Sequence, residues 1–350
     1  IELNYDDKFS EYEMYNNNTD WRDAVTRWGL RQNHYMTIEG GGEKATFRIS
    51  AGYNHQTGTI IRQELNRLTA RLVLDYNVSD RIRFSTNFAL TYTDNLKNYT
   101  LGSSKNDKKT NNNILAMALN MAPNMAITRD NGEYYLMNNY AAGKTPYDGN
   151  YSSEEMASVY SIGNPVAYAN SSWQREKTYS IVPDFNLRYE LLGTGNKESR
   201  LTFNGRVYFD IYSYTLPTYM PASLSNYSYT DTYYNYSTNT ENNQFKLGAR
   251  AEFIYTPHFN NEDLSLTMLA RYETLTGKYS LQYDAQGQLP NGITSPTVDA
   301  NMKDMNNSPT TTRSASHDWI YNAHFSYKER YNVGFSLRAD GDSKFGPKQK

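Results

Sequence analysis

Along much of this chain apolar and polar residues alternate with a period of two, and the charges fall on one side of the alternation. Over residues 67–76, Leu68, Ala70, Leu72, Leu74 and Tyr76 share one side of an extended strand, with Arg67, Arg71 and Asp75 opposite. The next segment sets Ile82, Phe84, Phe88, Leu90 and Tyr92 against Arg83, Ser85, Asn87 and Thr91. Further on, Phe185, Leu187, Tyr189 and Leu191 oppose Asp184, Asn186, Arg188 and Glu190. Phe203, Val207, Phe209 and Ile211 oppose Asn204, Arg206 and Asp210, and Phe245, Leu247, Ala249, Ala251, Phe253 and Tyr255 oppose Lys246, Arg250 and Glu252. The apolar side stays free of charge over runs of about 9–11 residues, the length a tilted strand needs to cross a bilayer. A Lys or Arg on a lipid-facing side near the midplane costs about 2–4 kcal/mol, so strict exclusion is what a barrel in lipid requires. The pattern predicts an all-β chain, an antiparallel transmembrane β-barrel segment, in a bacterial outer membrane.

The pattern yields about ten strands, at 30–39, 45–56, 66–77, 81–93, 178–192, 199–213, 243–256, 263–276, 317–328 and 330–341; in the first, only Met36 and Ile38 mark the apolar side. Connections alternate between short and long. The short ones are 40–44 (Gly40-Gly41-Gly42-Glu43-Lys44), 77–80, 193–197, 256–262 and 328–330; the long ones run over about 54–66, 94–177, 213–243 and 274–316. Short turns at one end and long loops at the other are the asymmetry of outer-membrane barrels, with the turns periplasmic and the loops extracellular. Outward tyrosines sit near both ends, Tyr76, Tyr255, Tyr327 and Tyr331 by the turns and Tyr53, Tyr92, Tyr179 and Tyr272 toward the loops, as two aromatic girdles would. Phe84, Leu187, Val207, Phe253 and Phe335 are expected to meet lipid.

Composition removes rival classes. The mean hydropathy is −0.80, and no run is long and apolar enough for a transmembrane helix. A wet lumen and polar loops make such a value compatible with a membrane barrel. Tyrosine reaches 33 of 350 residues, which suits girdles and aromatic loops. Without cysteine there is no disulfide, thiolate ligand or thiol nucleophile, and a net charge of −2 gives no case for nucleic acid. The chain opens at Ile1 without a leader, so the expectation is a removed signal peptide or an interior piece of a longer chain.

Little points to catalysis. His34, His55, His258, His317 and His324 lack metal-ligand spacing, and no elbow joins Ser, His and acid, so neither an enzyme nor a cofactor is expected. The triple glycine at 40–42 joins two strands and reads as a turn, and Asp340-Gly341-Asp342 suits a bend at a strand end as well as a cation site. In the long loops, 113–121 (NILAMALNM) is spaced for a short helix stopped by Pro123, and Lys105–Lys109 reads as a solvated tip. The run 226–236 carries Tyr227, Tyr229, Tyr233, Tyr234 and Tyr236; such rings can stack on sugars or peptide side chains, and equally suit packing of the loop on its neighbours. Arg48, Arg67, Arg71, Arg83, Arg188, Arg206, Arg250, Arg271 and Arg338 all fall on the polar side and are expected to face the lumen. There they would hold a plug or tune permeation, or simply form an ion-pair lattice that satisfies a wet wall.

Several stretches resemble SusC/RagA-type TonB-dependent transporters: Asn18-Thr19-Asp20-Trp21, Gln32-Asn33-His34, Gly40–Lys44, Ser50-Ala51-Gly52-Tyr53, Asp130-Asn131-Gly132-Glu133-Tyr134, Gly163-Asn164-Pro165-Val166-Ala167, and 338–347 beginning Arg338-Ala339-Asp340-Gly341. They occur in the family's order from Asn18 to the end. The resemblance implies a lead-in or extracellular loop at 1–29 and a partial barrel at 30–350, about ten strands of roughly 22, with the plug and the TonB box absent. It further implies import of a bulky oligosaccharide or oligopeptide in a Bacteroidota-type bacterium, with a SusD-like surface lipoprotein as lid and TonB acting through the missing N-terminal segment. A passive porin and a soluble β-rich carbohydrate-binding module are the rival functions. The first would lack a plug, and the second would cover its apolar face with protein.

Overall fold

A computed structural model describes residues 17–99, 113–135, 163–195, 197–224, 230, 234–296, 303–307 and 309–344. It contains one antiparallel sheet built from β1 (Arg31–Gly41), β2 (Ala45–Thr57), β3 (Glu64–Asn77), β4 (Ile82–Lys97), β5 (Trp173–Leu192), β6 (Arg200–Met220), β7 (Tyr236–Thr256), β8 (Leu264–Gly287), β9 (Lys303–Asn307), β10 (Thr310–Tyr327) and β11 (Tyr331–Asp342). Strands follow one another in chain order, except that β10 lies beside β8 and the short β9 pairs with the far end of β8. Ten strands thus make the continuous path, as the alternation predicts, and β9 is an eleventh that the pattern misses.

Most of the strands are longer than expected at the long-loop end. β8 continues to Gly287 and β7 begins at Tyr236, while β2 and β3 extend until residues 58–63 alone join them, so the expected loop over 54–66 is a short connection. In β7 both faces are polar over Ser237–Asn243, and in β6 and β8 the apolar residues change sides, with Tyr214, Leu216, Tyr279, Leu281 and Tyr283 on the polar face, so no apolar lipid side marks these extensions while the backbone ladder continues. At the other end, Gly40 and Gly41 are paired strand residues opposite Phe47 and Thr46, and the turn proper is 42–44. The Phe47 ring lies over Gly40, which a side chain there would obstruct.

The face assignment holds along the sheet. Rung by rung, Tyr76, Phe84, Leu187, Gly205, Ala251, Tyr272 and Trp319 stand side by side across seven strands. The neighbouring rung on the opposite face is Asp75, Ser85, Asn186, Arg206, Arg250, Glu273, Asp318 and Asp340. Leu187 and Val207 are each 38% exposed, Phe253 43% and Phe335 61%, so this apolar belt lies open. The described helices pack on one another and on a 3-10 turn, not on the belt. A sheet of this size with a bare apolar face demands an apolar surrounding.

The same rung shows tilt. Tyr76 is the penultimate residue of β3 at the turn end, whereas Tyr272 stands well inside β8, which begins at Leu264. With strands about 4.8 Å apart and tilted by about 40°, each step along the rung climbs about 3 Å, and each residue along a strand about 2.5 Å.

Candidate functional site: the polar face and the loop layer

Two features gather the polar chemistry. The first is the polar face of the sheet, where alternation alone places every arginine singled out above. Arg206 grips Asp184 with two guanidinium nitrogens, one at 2.6 Å, and lies 4.9 Å from the centre of the Tyr208 ring. Arg271 donates to Glu252 at 2.6 Å, Arg83 to Asp75 at 3.0 Å, Arg188 to Glu190 at 3.2 Å, Arg48 to Glu39 at 2.8 Å and Arg338 to Asp340 at 2.6 Å. Arg71 donates to the Asn87 amide at 2.9 Å. Arg250 differs: it lies opposite Arg206 on one flank and Glu273 on the other, and makes no ion pair within 4.0 Å among the described residues. Arg83, Arg188, Arg206, Arg250 and Arg271 line a shallow groove of about 380 Å³ with Asn186, Asn204 and Glu252. Six of the nine arginines are thus held in ion pairs, while Arg67, Arg71 and Arg250 make none among the described residues.

The second feature is a layer at the long-loop end that holds most of the buried residues among those described. It contains α1 (Trp21–Val25), α2 (Ile114–Asn120) and α3 (Pro165–Ser171), whose Trp21, Val25, Ile114, Ala118 and Ala169 form one core with Met121. Each helix starts at a side-chain cap, which supplies an oxygen to N–H groups that have no partner in the first turn: Asp20 for α1, Asn113 for α2 and Asn164 for α3. The helix expected in 113–121 is thus present. Asn164, 1% exposed, accepts from the amides of Val166 and Ala167 and donates to the carbonyls of Ile127 and Tyr135 at 2.8 and 3.1 Å. The Trp21 indole donates to the Ala122 carbonyl at 2.9 Å, and the Thr19 hydroxyl to Met125 at 2.7 Å. Residues 129–133 close a tight hairpin in which Gly132 takes φ +85°, a conformation that favours glycine. The stretches around Asn18–Trp21 and Gly163–Ala167, about 145 residues apart, therefore meet in this core through Trp21 and Val166, while Tyr134 packs with Ala167 in a neighbouring cluster with Tyr99, Met220 and Leu224.

Of the tyrosine run, Tyr227, Tyr229 and Tyr233 lie outside the described residues, as do Lys105–Lys109. Tyr234 stands in the turn before β7, where its carbonyl accepts from Gln288, and Tyr236 opens β7 opposite Met220. That region is tied into the layer: Asn235 donates to the Leu289 carbonyl at 2.8 Å, and the Tyr168 hydroxyl of α3 donates to the Leu224 carbonyl at 2.7 Å. Asp340-Gly341-Asp342 closes β11 within the sheet, with Asp340 held by Arg338.

Aromatic rings band the apolar face. Tyr92 and Tyr179 meet at 4.7 Å between ring centres and Tyr272 and Trp319 at 4.4 Å toward the loop end; Tyr327 and Tyr331 meet at 6.4 Å at the turn end. One residue pair beyond Tyr92, on the same face, Arg175 forms a two-pronged ion pair with Asp94 at 2.6 and 2.8 Å. The Arg175 hydrogen bond holds the Asp94 carboxyl below its ordinary range. The pair's contribution is therefore complete above about pH 5 and fades only as the pH falls through that lowered pKa.

No protein-family model matches the chain. It is 23% identical over 338 residues to TonB-dependent receptor P39 of Formosa agariphila, covering 93% of this chain and 28% of that protein. To TonB-dependent receptor SusC of Bacteroides thetaiotaomicron it is 20% identical over 335 residues, 94% of this chain and 30% of SusC. In fold it is similar to the RagAB peptide transporter, with a TM-score of 0.58 at 16% identity over 99% of this chain and 36% of that one. The same importer in its closed-closed state gives 0.57 at 15% identity, over 96% and 34%. The chain thus spans about 30% of the length of the curated relatives it matches. In sequence and in fold it resembles the SusC/RagA-type TonB-dependent transporters, and its sheet is the barrel arc of that type.

Proposed function

We propose that this chain is the strand arc and loop layer of a TonB-dependent outer-membrane transporter that imports a bulky nutrient, an oligosaccharide or an oligopeptide. The carrying observation is a single sheet with a charge-free apolar belt exposed on one face and an arginine–carboxylate lattice on the other. In a barrel the belt meets lipid and the lattice faces the lumen, where a plug preceding this chain would dock against polar groups. A SusD-like lipoprotein would close over the loop layer, and TonB would act on the N-terminal segment. The barrel's remaining strands would pair with β1 and β11, the margins of the arc, whose unpaired N–H and C=O groups need partners in lipid.

The orientation has a direct test in the full-length protein on intact cells. A cysteine at Leu119, exposed in α2, is expected to react with a membrane-impermeant maleimide, while one at Lys197, in the turn after β5, stays protected until the outer membrane is opened. The reverse pattern would overturn the orientation.

For the tyrosine run we expect a role in holding substrate or lid, since stacking adds about 0.5–1.5 kcal/mol per ring beyond area burial. Replacing Tyr229, Tyr233 and Tyr234 together by Ala should slow growth on the cognate nutrient at unchanged barrel abundance. Unchanged uptake and unchanged lid association would leave these rings as loop packing.

A further inference from the structure

On β8 and β10 two cations stand side by side on the apolar side of the sheet, away from the lattice. Lys278 of β8 is opposite Arg313 of β10 on one flank and Phe245 of β7 on the other. All three share the face of Tyr272 and Trp319, with Thr276 and Ala315 filling the next outward rung below and Thr274 and His317 the one after. Both cationic side chains are exposed, and neither has an ion-pair partner among the described residues. The surrounding outward positions on β7, β8 and β10 are Asn243, Leu247, Thr276, Ser280, Thr311 and Ala315, none of them acidic. A groove of about 340 Å³ opens between the two, with Phe245 and Ala315 in its floor.

Height decides what can fill it. From Tyr76 at the lower girdle the rung climbs five strand steps to Tyr272, about 15 Å, and the six residues from Tyr272 to Lys278 add about 15 Å more. Lys278 therefore stands about 30 Å above the lower girdle, and Arg313 one strand step higher. An outer-membrane barrel's apolar band is about 25 Å tall, so the pair sits at headgroup level while Phe245 reaches down into the band. On β5 the outward Arg175 and Lys177 stand at a comparable height around the Asp94 carboxylate, which Arg175 grips. At β8 and β10, by contrast, two cations stand together with no outward carboxylate at the adjoining positions.

We propose that Lys278 and Arg313 bind the phosphate of a lipid in the extracellular leaflet, with an acyl chain lying over Phe245 and Ala315. The guanidinium can take two phosphate oxygens in its planar fork while the ammonium supplies a second, adjustable charge. The proposal rests on the outer-membrane reading above. Its function would be to fix the rotational position of this part of the barrel wall against the leaflet beneath the loop layer.

The experiment uses the full-length protein extracted in mild detergent, as wild type and as Lys278→Gln/Arg313→Gln, with lipid retention read by native mass spectrometry. The probes are phosphatidic acid, the matching diacylglycerol and inorganic phosphate. Wild type is expected to retain phosphatidic acid about tenfold more tightly than the double variant, and diacylglycerol no better than the variant does. Millimolar inorganic phosphate is expected not to displace the lipid. Equal retention by both proteins would overturn the proposal, as would equal binding of diacylglycerol. Displacement by inorganic phosphate would make this a free-anion site, and loss of a co-purifying lipoprotein with lipid retention unchanged would make it a protein contact; either result overturns the lipid assignment. Lys278→Gln alone carries the same comparison if the double variant inserts poorly. Wild-type protein released from cells without detergent would sink the membrane reading itself. A detergent-extracted, heat-modifiable barrel without phosphate preference would sink this inference alone.

Discussion

Arginine in place of Val207 is expected to destabilise the assembled barrel by about 2–4 kcal/mol, whereas Thr202→Arg on the same strand should be tolerated. Val207 lies on the apolar face and is 38% exposed. Three strand steps along the rung from Tyr76 reach Gly205, and two more residues reach Val207, which places it about 14 Å above the lower girdle, near the middle of a band about 25 Å tall. A guanidinium there must either leave water or thin the bilayer around it. Thr202 points to the other face, opposite Glu190 and Ile254, where a new cation meets water and a carboxylate. The readout is the urea midpoint for loss of the heat-modifiable band in the full-length protein. Equal midpoints for the two variants would mean that the two faces have the same surroundings, and the barrel reading would fail.

The alternation that fixes this contrast was legible because lipid and water impose different rules on successive residues, and the rule holds wherever both are present. Beyond the girdles both faces meet water or loop: the extension of β7 is polar on both sides, and those of β6 and β8 carry Tyr214, Leu216, Tyr279, Leu281 and Tyr283 on the lumen side, so no lipid-facing row continues there and the strands outrun the pattern. Faces could be read in this way, but partners could not: whether Arg206 meets Asp184 or Arg250 meets no acid depends on register between strands, which a one-dimensional pattern does not contain. The loop core was hidden for a stronger reason. Trp21 and Ala122 lie 101 positions apart, and Asn164 reaches Ile127 across 37. The resemblance singled out the right stretches without showing that they pack together. The local signal for α3 is Asn before Pro: at Asn164-Pro165 a capping side chain is followed by a residue that needs no partner for its nitrogen.

That helix start carries the second large effect. Asn164→Ala is expected to loosen the loop layer by roughly 2–4 kcal/mol while leaving the strands assembled. Alanine removes the cap on the amides of Val166 and Ala167 and strips the carbonyls of Ile127 and Tyr135 of their donor, all in a region where the residue is 1% exposed. Losing a cap costs about 1 kcal/mol, and a buried polar group left without a partner about 1–3 kcal/mol. Trp21→Ala should act in the same direction through the same core, at about 3–5 kcal/mol for the cavity, plus the lost bond to Ala122. Neither residue lies in the strands, whose pairing continues around the arc without them, so the heat-modifiable band should persist in both variants. Protease added to intact cells should then cut within the loops of either variant at concentrations that leave the wild type whole. Wild-type resistance in both variants would mean that the layer is held by contacts other than this core, and loss of the band would mean that the layer and the sheet form a single cooperative unit.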